Sequence, residues 1–327
     1  MPDILLVDPP CTSRLWEPHS EHLGIGYLAA ELRNVGYQVE IMDAGLLRWS
    51  LKKTCREILK KNPKILGISV VQPAVKNTLY IGEFLRKNGL KSHICLGGHF
   101  PTLKTRKLLE KATFADSIVY GEGDITFPKL VKTIFEKGSL ENLKGIAWRK
   151  EDKIKVNPPQ PLVENLDELP FPARDTLPLV LRWGRNAMMI TSKGCYGNCI
   201  FCGPRAFYHR SPGKKWRGRS AENVVEELEF LYKNWKTEIV DFLDDNFFGP
   251  GEKGKERAEE IARLIIKKKL PVRFSIECRV DNVEKELFSF LKKAGLYEVR
   301  LGVESGVQKI LDRYGKGVTV EDNRRAI

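Results

Sequence analysis

The chain has 327 residues, enough for two domains with sizeable cores. Hydrophobic residues make up 42% and charged residues 30%, and no apolar stretch approaches the ~18 residues of a membrane span. The formal net charge of +13 is spread along the chain, with short runs at Lys214-Lys215-Trp216-Arg217 and Lys267-Lys268-Lys269. It reads as a solvated Lys-rich surface in preference to a site for an anionic partner, and no nucleic-acid-binding signature accompanies it.

The start, Met1-Pro2-Asp3-Ile4-Leu5-Leu6-Val7-Asp8, has no basic n-region and too short an apolar run for a secretory leader. Three of the seven cysteines are clustered, which argues against a disulfide framework and for a reducing, cytoplasmic setting.

Residues 1–137 alternate short apolar runs with amphipathic stretches. Ile4–Val7, Val39–Met42, Ile65–Val70, Ile94–Leu96 and Ser117–Tyr120 read as buried parallel strands. Leu51, Cys55, Ile58 and Leu59 recur at helical spacing between two of them. The alternation predicts a doubly wound, Rossmann-like α/β sheet, whose ligands lie beyond the carboxyl ends of its strands. Ser69 stands at one such end. Gly97-Gly98-His99-Phe100-Pro101-Thr102 follows the fourth strand, and Gly121-Glu122-Gly123-Asp124 the fifth. Glycines there let a backbone approach a bulky ligand, although a glycine after a strand is often only a turn.

Residues 138–183 read as a linker: a hairpin around Glu151-Asp152, then a proline-rich strap from Pro158 to Pro178. Leu162, Leu166, Leu169 and Phe171 give the strap an apolar side, so it is expected to be ordered.

Residues 184–327 contain four strand–helix units. The strands are Ala187–Thr191, Glu238–Leu243, Arg273–Val280 and Glu298–Val303. Helices are expected over Ala221–Tyr232, Glu256–Lys268 and Glu284–Ala294. Such repeats build a parallel (β/α) barrel with active groups at the carboxyl ends of the strands. Strand alternation puts Ser275, Glu277 and Arg279 on one face of the third strand, and Arg300, Gly302 and Glu304 on one face of the fourth. Lumen charges of both signs either pair with one another or bind a polar ligand. The chain reaches Ile327 within what reads as the helix after the fourth strand, which predicts a partial barrel.

The first of these strands runs into Gly194-Cys195-Tyr196-Gly197-Asn198-Cys199-Ile200-Phe201-Cys202-Gly203. Three thiolates on one short loop suit three irons of a [4Fe–4S] cluster, leaving the fourth iron open to a substrate. A structural zinc site needs a fourth ligand. The nearest candidate, His209, lies seven residues beyond Cys202. Inert buried thiols are the remaining reading.

This C-x3-C-x2-C loop resembles the signature of the radical S-adenosylmethionine (SAM) enzymes. The Gly-Gly-x-x-Pro-Thr and Gly-Glu-Gly-Asp elements resemble the cobalamin-binding domain fused to many of them. The resemblance implies a [4Fe–4S] cluster on Cys195, Cys199 and Cys202, with SAM chelated at the open iron and cleaved to a 5′-deoxyadenosyl radical. It implies SAM contacts from Phe201, Gly203, Asp244 or Asp245, Glu277, Arg279 and Glu304. It implies cobalamin contacts from Ser69, Gly97, Gly98, His99, Pro101, Thr102, Gly121, Glu122 and Gly123. The common axial motif Asp-x-His-x-x-Gly is absent, and none of His19, His22, His93, His99 or His209 sits in that frame.

The activity implied is methyl transfer to an unactivated carbon of a small-molecule substrate, with flavodoxin or ferredoxin as electron donor. Cyclisation or rearrangement, a first domain that binds no cobalamin, and a non-catalytic binding chain are the alternatives. Arg217 and Arg219 also look like a family element, or else pair with nearby acidic residues.

Overall fold

A computed structural model describes residues 1–11, 20–151 and 153–327. His19 and Asp152 lie outside them. The described residues form two compact units. One gathers residues 1–163, 169–180 and 210–212; the other gathers residues 164–168, 181–209 and 213–327.

The first unit is built in chain order from β1 (Ile4–Asp8), α1 (Leu23–Asn34), β2 (Val39–Asp43), α2 (Leu51–Lys61), β3 (Ile65–Ser69) and α3 (Val75–Lys87). Then come β4 (His93–Gly97), α4 (His99–Leu103), α5 (Thr105–Lys111), β5 (Ser117–Val119), α6 (Gly123–Phe135), β6 (Ile146–Lys150) and β7 (Lys153–Val156). The sheet order is β2-β1-β3-β4-β5-β6-β7. The first five strands run parallel, each within two residues of the sequence reading at either end.

Alternation along each strand feeds two cores. Leu5, Val7, Leu66, Ile68, Ile94 and Leu96 join one, while Ile4, Leu6, Ile65, Cys95 and Val119 join the other. Burial on both faces is why these strands read as unbroken apolar runs.

The hairpin does not hang free. β6 pairs antiparallel with β5, and β7 with β6, so it extends the sheet. Asn157 anchors its exit: the side-chain amide donates to Leu140 O (2.7 Å) and Leu143 O (2.8 Å) and accepts from Trp148 Nε1 (3.2 Å). Leu162 and Val163 of the strap are buried.

The chain then passes through α7 (Leu177–Arg182). The second unit holds β8 (Ala187–Met189), β9 (Ser192–Lys193), α8 (Gly203–Tyr208), β10 (Arg217–Gly218), α9 (Ala221–Trp235), β11 (Ile239–Phe242), α10 (Glu252–Lys267), β12 (Arg273–Arg279), α11 (Lys285–Lys293), β13 (Leu296–Gly302), α12 (Gln308–Tyr314) and α13 (Val320–Ala326). Four strands form one parallel sheet in the order β13-β12-β11-β8, and β9 pairs with β10 separately.

Phe242 stacks on Phe274 with ring centroids 5.0 Å apart, and Phe274 and Ile276 are fully buried. Phe274, Ile276 and Cys278 form a packed apolar face on β12, and Ser275 and Arg279 on its other face are buried as well. One expectation is corrected: a single helix does not follow β13. Gly315 (φ +64°) and Gly317 (φ +69°) break it, and α13 starts afresh at a Thr319/Asp322 capping box.

Candidate functional site

Two clusters of chemistry-bearing residues stand at carboxyl ends of parallel strands, one in each unit.

In the first unit, His22 caps α1: its Nδ1 accepts from Ile25 N–H at 3.2 Å. The ring proton is therefore on Nε2, which donates to Ser69 Oγ at 2.8 Å. Ser69 keeps its own proton for another acceptor. Gly98 has φ +100°, and a Cβ there would stand 3.2 Å from Ser69 Oγ and from Val70 backbone atoms, so only glycine fits. A Cβ on Gly97 would meet only Val119 O, at 3.9 Å, so that position faces open space.

Thr102 ties the two glycine loops together: its hydroxyl donates to Gly98 O (2.8 Å) and accepts from Gly121 N–H (3.0 Å). Glu122 is buried and accepts from Val163 N–H at 2.9 Å, which commits one oxygen to the strap. Pro101 is buried inside α4, and Gly123 opens α6 with ordinary contacts to Leu28. Burial holds the pKa of His99 below its usual value, and the neighbouring His22 adds to the effect.

The sequence places Asp8 at the end of the first strand but does not reveal its pairing with a second carboxyl at this edge. Asp8 and Asp43 are register partners at the ends of β1 and β2. Burial pushes both up to about 7, and for Asp43 the proximity of Asp8 adds to it. Asp43 accepts from Leu46 N–H at 2.8 Å through one oxygen, while the other has no partner among the described residues. The visible signal was an aspartate closing each of two apolar strands. Here burial suppresses charge at the edge: a fixed-tautomer imidazole, hydroxyls, carboxyls that ionise only near neutral pH and bare glycine backbone. That fits a broad, amide-rich ligand better than a small ion.

In the second unit the loop Cys195–Cys202 is braced from several sides. Gly194 has φ +83°, and a Cβ on it would stand 1.9 Å from Lys215 O, so the loop enters where only glycine passes. Gly194 N–H donates to Asp245 at 3.1 Å. Gly197 N–H donates to Cys195 Sγ at 3.3 Å, and Cys202 N–H to Cys199 O at 3.2 Å. Cys199 is buried and the other two thiols are partly exposed. Among the described residues, no three Cys, His, Asp or Glu side chains are grouped as a single-ion site. The donor set is three soft thiols on one loop, which suits iron–sulfur chemistry.

The carboxylates divide by role. Asp244 is fully committed: it accepts from Thr191 N–H (2.7 Å), Ser192 N–H (2.9 Å) and the Thr191 hydroxyl. It braces the end of β8, helped by Arg257, which donates to Thr191 O (2.7 Å) and Arg219 O (2.6 Å). Asp245 is the freer carboxyl, pushed up to about 6 chiefly by burial.

Glu277 is half exposed and pairs with Arg300 at 3.3 Å. Arg279 grips Asp281 through Nε (2.9 Å) and Nη2 (3.0 Å) and donates to Lys316 O (2.8 Å). It lies against the loop, since a Cβ on Gly197 would stand 2.8 Å from its Nη1. Arg219 pairs with Glu227 in the interior, and both are buried.

Glu304 is the clearest outlier. It has φ +63° inside a three-residue turn closed by Ser305 N–H to Val303 O at 2.7 Å. That hand of the turn is strained for a residue with a Cβ. Asn323 holds it open by donating to Ser305 O (2.8 Å) and Val303 O (3.2 Å). Phe201 is half exposed and meets Tyr314 edge-on at 5.0 Å, and no atom approaches Gly203 within 4 Å of where a Cβ would stand.

Comparison with known proteins follows the same division. A B12 binding domain model matches residues 18–131, and the radical SAM superfamily model matches residues 189–327. An uncharacterized methyltransferase of Pyrococcus horikoshii is 29% identical over 330 residues, covering 99% of this chain and 70% of its own. The anaerobic magnesium-protoporphyrin IX monomethyl ester cyclase of Synechocystis is 26% identical, covering 99% of this chain and 65% of its own.

Among solved structures, the cobalamin-dependent S-adenosylmethionine radical enzyme OxsB, with aqua-cobalamin and S-adenosylmethionine bound, matches with a TM-score of 0.87 at 26% identity. The match covers 100% of this chain and 47% of OxsB. The chain thus spans between about half and 70% of the length of these relatives.

Proposed function

The chain belongs to the radical SAM superfamily and carries a B12 binding domain ahead of that region, and from this premise we propose that it serves a cobalamin-dependent methyl transfer to an unactivated carbon of a small molecule. When bound, the cofactors supply the one-electron opening of a sulfonium and the methyl group. The protein supplies placement, charge and shelter from water.

Residues 1–137 are assigned to the corrinoid and 184–327 to the cluster and SAM, with 138–183 between them. Cys195, Cys199 and Cys202 would hold three irons. Asp245, Glu304 and Glu277 are the carboxylates with capacity for the cation and hydroxyls of SAM, and Phe201 offers a ring face or edge for its adenine. Asp244 and Arg279 serve instead to hold the strand end and the loop. On the corrinoid side, Ser69 offers its free proton, and Gly97 and Gly98 offer bare backbone. An electron carrier such as flavodoxin or ferredoxin would complete the system.

The observation that carries this reading is the three-thiol loop that follows β9. Methyl transfer is preferred because the Pyrococcus relative is named a methyltransferase. The cyclase relative keeps ring formation as the second reading. The experiment is anaerobic incubation of the reconstituted protein with SAM bearing a labelled methyl group, hydroxocobalamin and a chemical reductant. Label in the corrinoid together with free 5′-deoxyadenosine supports methyl transfer. 5′-Deoxyadenosine without corrinoid labelling turns the assignment to the cyclase type.

A further inference from the structure

Lys316 stands in the glycine break between α12 and α13, with its side chain only 5% exposed. Its Nζ lies 3.2 Å from Glu304 Oε1, its one ion-pair partner among the described residues. A Cβ on Gly302 would stand 3.0 Å from the same nitrogen, so bare Gly302 gives the ammonium its room.

The segment carrying Lys316 also clasps the cysteine loop. Ile200 N–H donates to Tyr314 O at 2.9 Å, and Phe201 packs edge-on against the Tyr314 ring. Arg279 Nη2 donates to Lys316 O at 2.8 Å, linking the two cationic residues. A Cβ on Gly315, the residue before Lys316, would stand 3.4 Å from Asn198 O and 3.8 Å from Ile200 Cγ2, so the segment lies directly on the loop.

Burying an ammonium is costly, and a single carboxylate at 3.2 Å is modest compensation. That carboxylate is itself held on strained backbone. A salt bridge needed only for stability would be less costly at the surface.

Resting on the cluster reading above, we propose that Lys316 is a positioning residue whose ammonium sets the electron affinity of the iron–sulfur group on Cys195, Cys199 and Cys202, with Glu304 as the counter-charge that tempers it. Reduction takes one electron from a low-potential carrier protein and breaks no bond, so the group gains one negative charge. A fixed cation stabilises that product more than the reactant, and net charge is among the levers on such potentials.

The test is a potentiometric titration, followed by electron paramagnetic resonance, of the full chain reconstituted anaerobically with iron and sulfide, without SAM. Lys316→Met should lower the reduced-to-oxidised ratio about tenfold at a fixed applied potential, a negative shift of about 59 mV for one electron. Glu304→Gln should shift the potential the opposite way, and Lys316→Arg should stay near the parent. Opposite signs are what a merely structural bridge would not give.

Equal potentials, or shifts of the same sign in Lys316→Met and Glu304→Gln at full iron content, overturn the inference. If Lys316→Met takes up no iron, the sign in Glu304→Gln decides: positive supports it, zero or negative overturns it. A parent protein without iron overturns the proposed function first and this inference with it.

Discussion

The two sites use opposite physical means. At the sheet edge of the first unit, burial disfavours charge: Asp8 and Asp43 keep their protons up to about pH 7, His22 is fixed in one neutral tautomer, and the glycines expose bare backbone. Around the cysteine loop fixed charges are kept as ion pairs, Arg279 with Asp281 and Lys316 with Glu304. The first arrangement would suit a ligand read by shape and amide groups. The second suits a small, strongly charged group whose oxidation state changes.

Replacing a ligand should break the second site completely. Cys199→Ala is expected to lower iron per chain at least about tenfold after anaerobic reconstitution, since the buried thiol has no substitute on the loop. Colorimetric iron analysis reads this directly.

Next in size is the loop's entrance. Gly194→Ala would drive a Cβ to 1.9 Å from Lys215 O at φ +83°. A loss of about 3 kcal/mol is expected. Urea unfolding followed by circular dichroism checks it, and an unchanged midpoint would mean the loop is not held as described.

These two sites were unequally legible in the chain. The cysteine loop and the alternating strands are local patterns, so spacing alone revealed them. Lys316 is not legible in the sequence because its meaning depends on contacts with Glu304 and Arg279, which only folding assembles. Asp244 and Asp245 are adjacent in sequence and equivalent by motif; hydrogen bonds from Thr191 and Ser192 separate their roles. The hairpin read as part of a linker because nothing in β6 announces its partner, and β5 supplies it. The Asp8–Asp43 pair escaped notice for the same reason: register, not spacing, brings it together.

A third prediction turns on that pair. Unfolded aspartates lose their protons near pH 4, at about 3.9, whereas Asp8 and Asp43 do so at about 7 when folded. Between those values the folded state binds more protons, so stability falls as pH rises from about 4 to about 7 and levels off above. Asp43→Asn should remove part of that slope and raise stability at pH 7.5 relative to pH 5 by about 1–2 kcal/mol. Urea midpoints at the two values test it. An unchanged slope would mean the first site keeps its charge and the contrast fails.

The smallest effect on folding is expected at Gly97. Its Cβ position is open, so Gly97→Leu should change stability by no more than about 0.5 kcal/mol. It should nevertheless lower hydroxocobalamin retained after desalting about tenfold, because the leucine occupies the floor a corrin ring needs. Retention equal to the parent's would place the ring elsewhere.

The most direct test of the two-site account is elemental analysis of the parent chain. The protein would be reconstituted anaerobically with iron, sulfide and hydroxocobalamin, then passed through gel filtration. About four irons, four sulfides and one cobalt per chain are expected. Zinc in place of iron, or iron without cobalt, would contradict it.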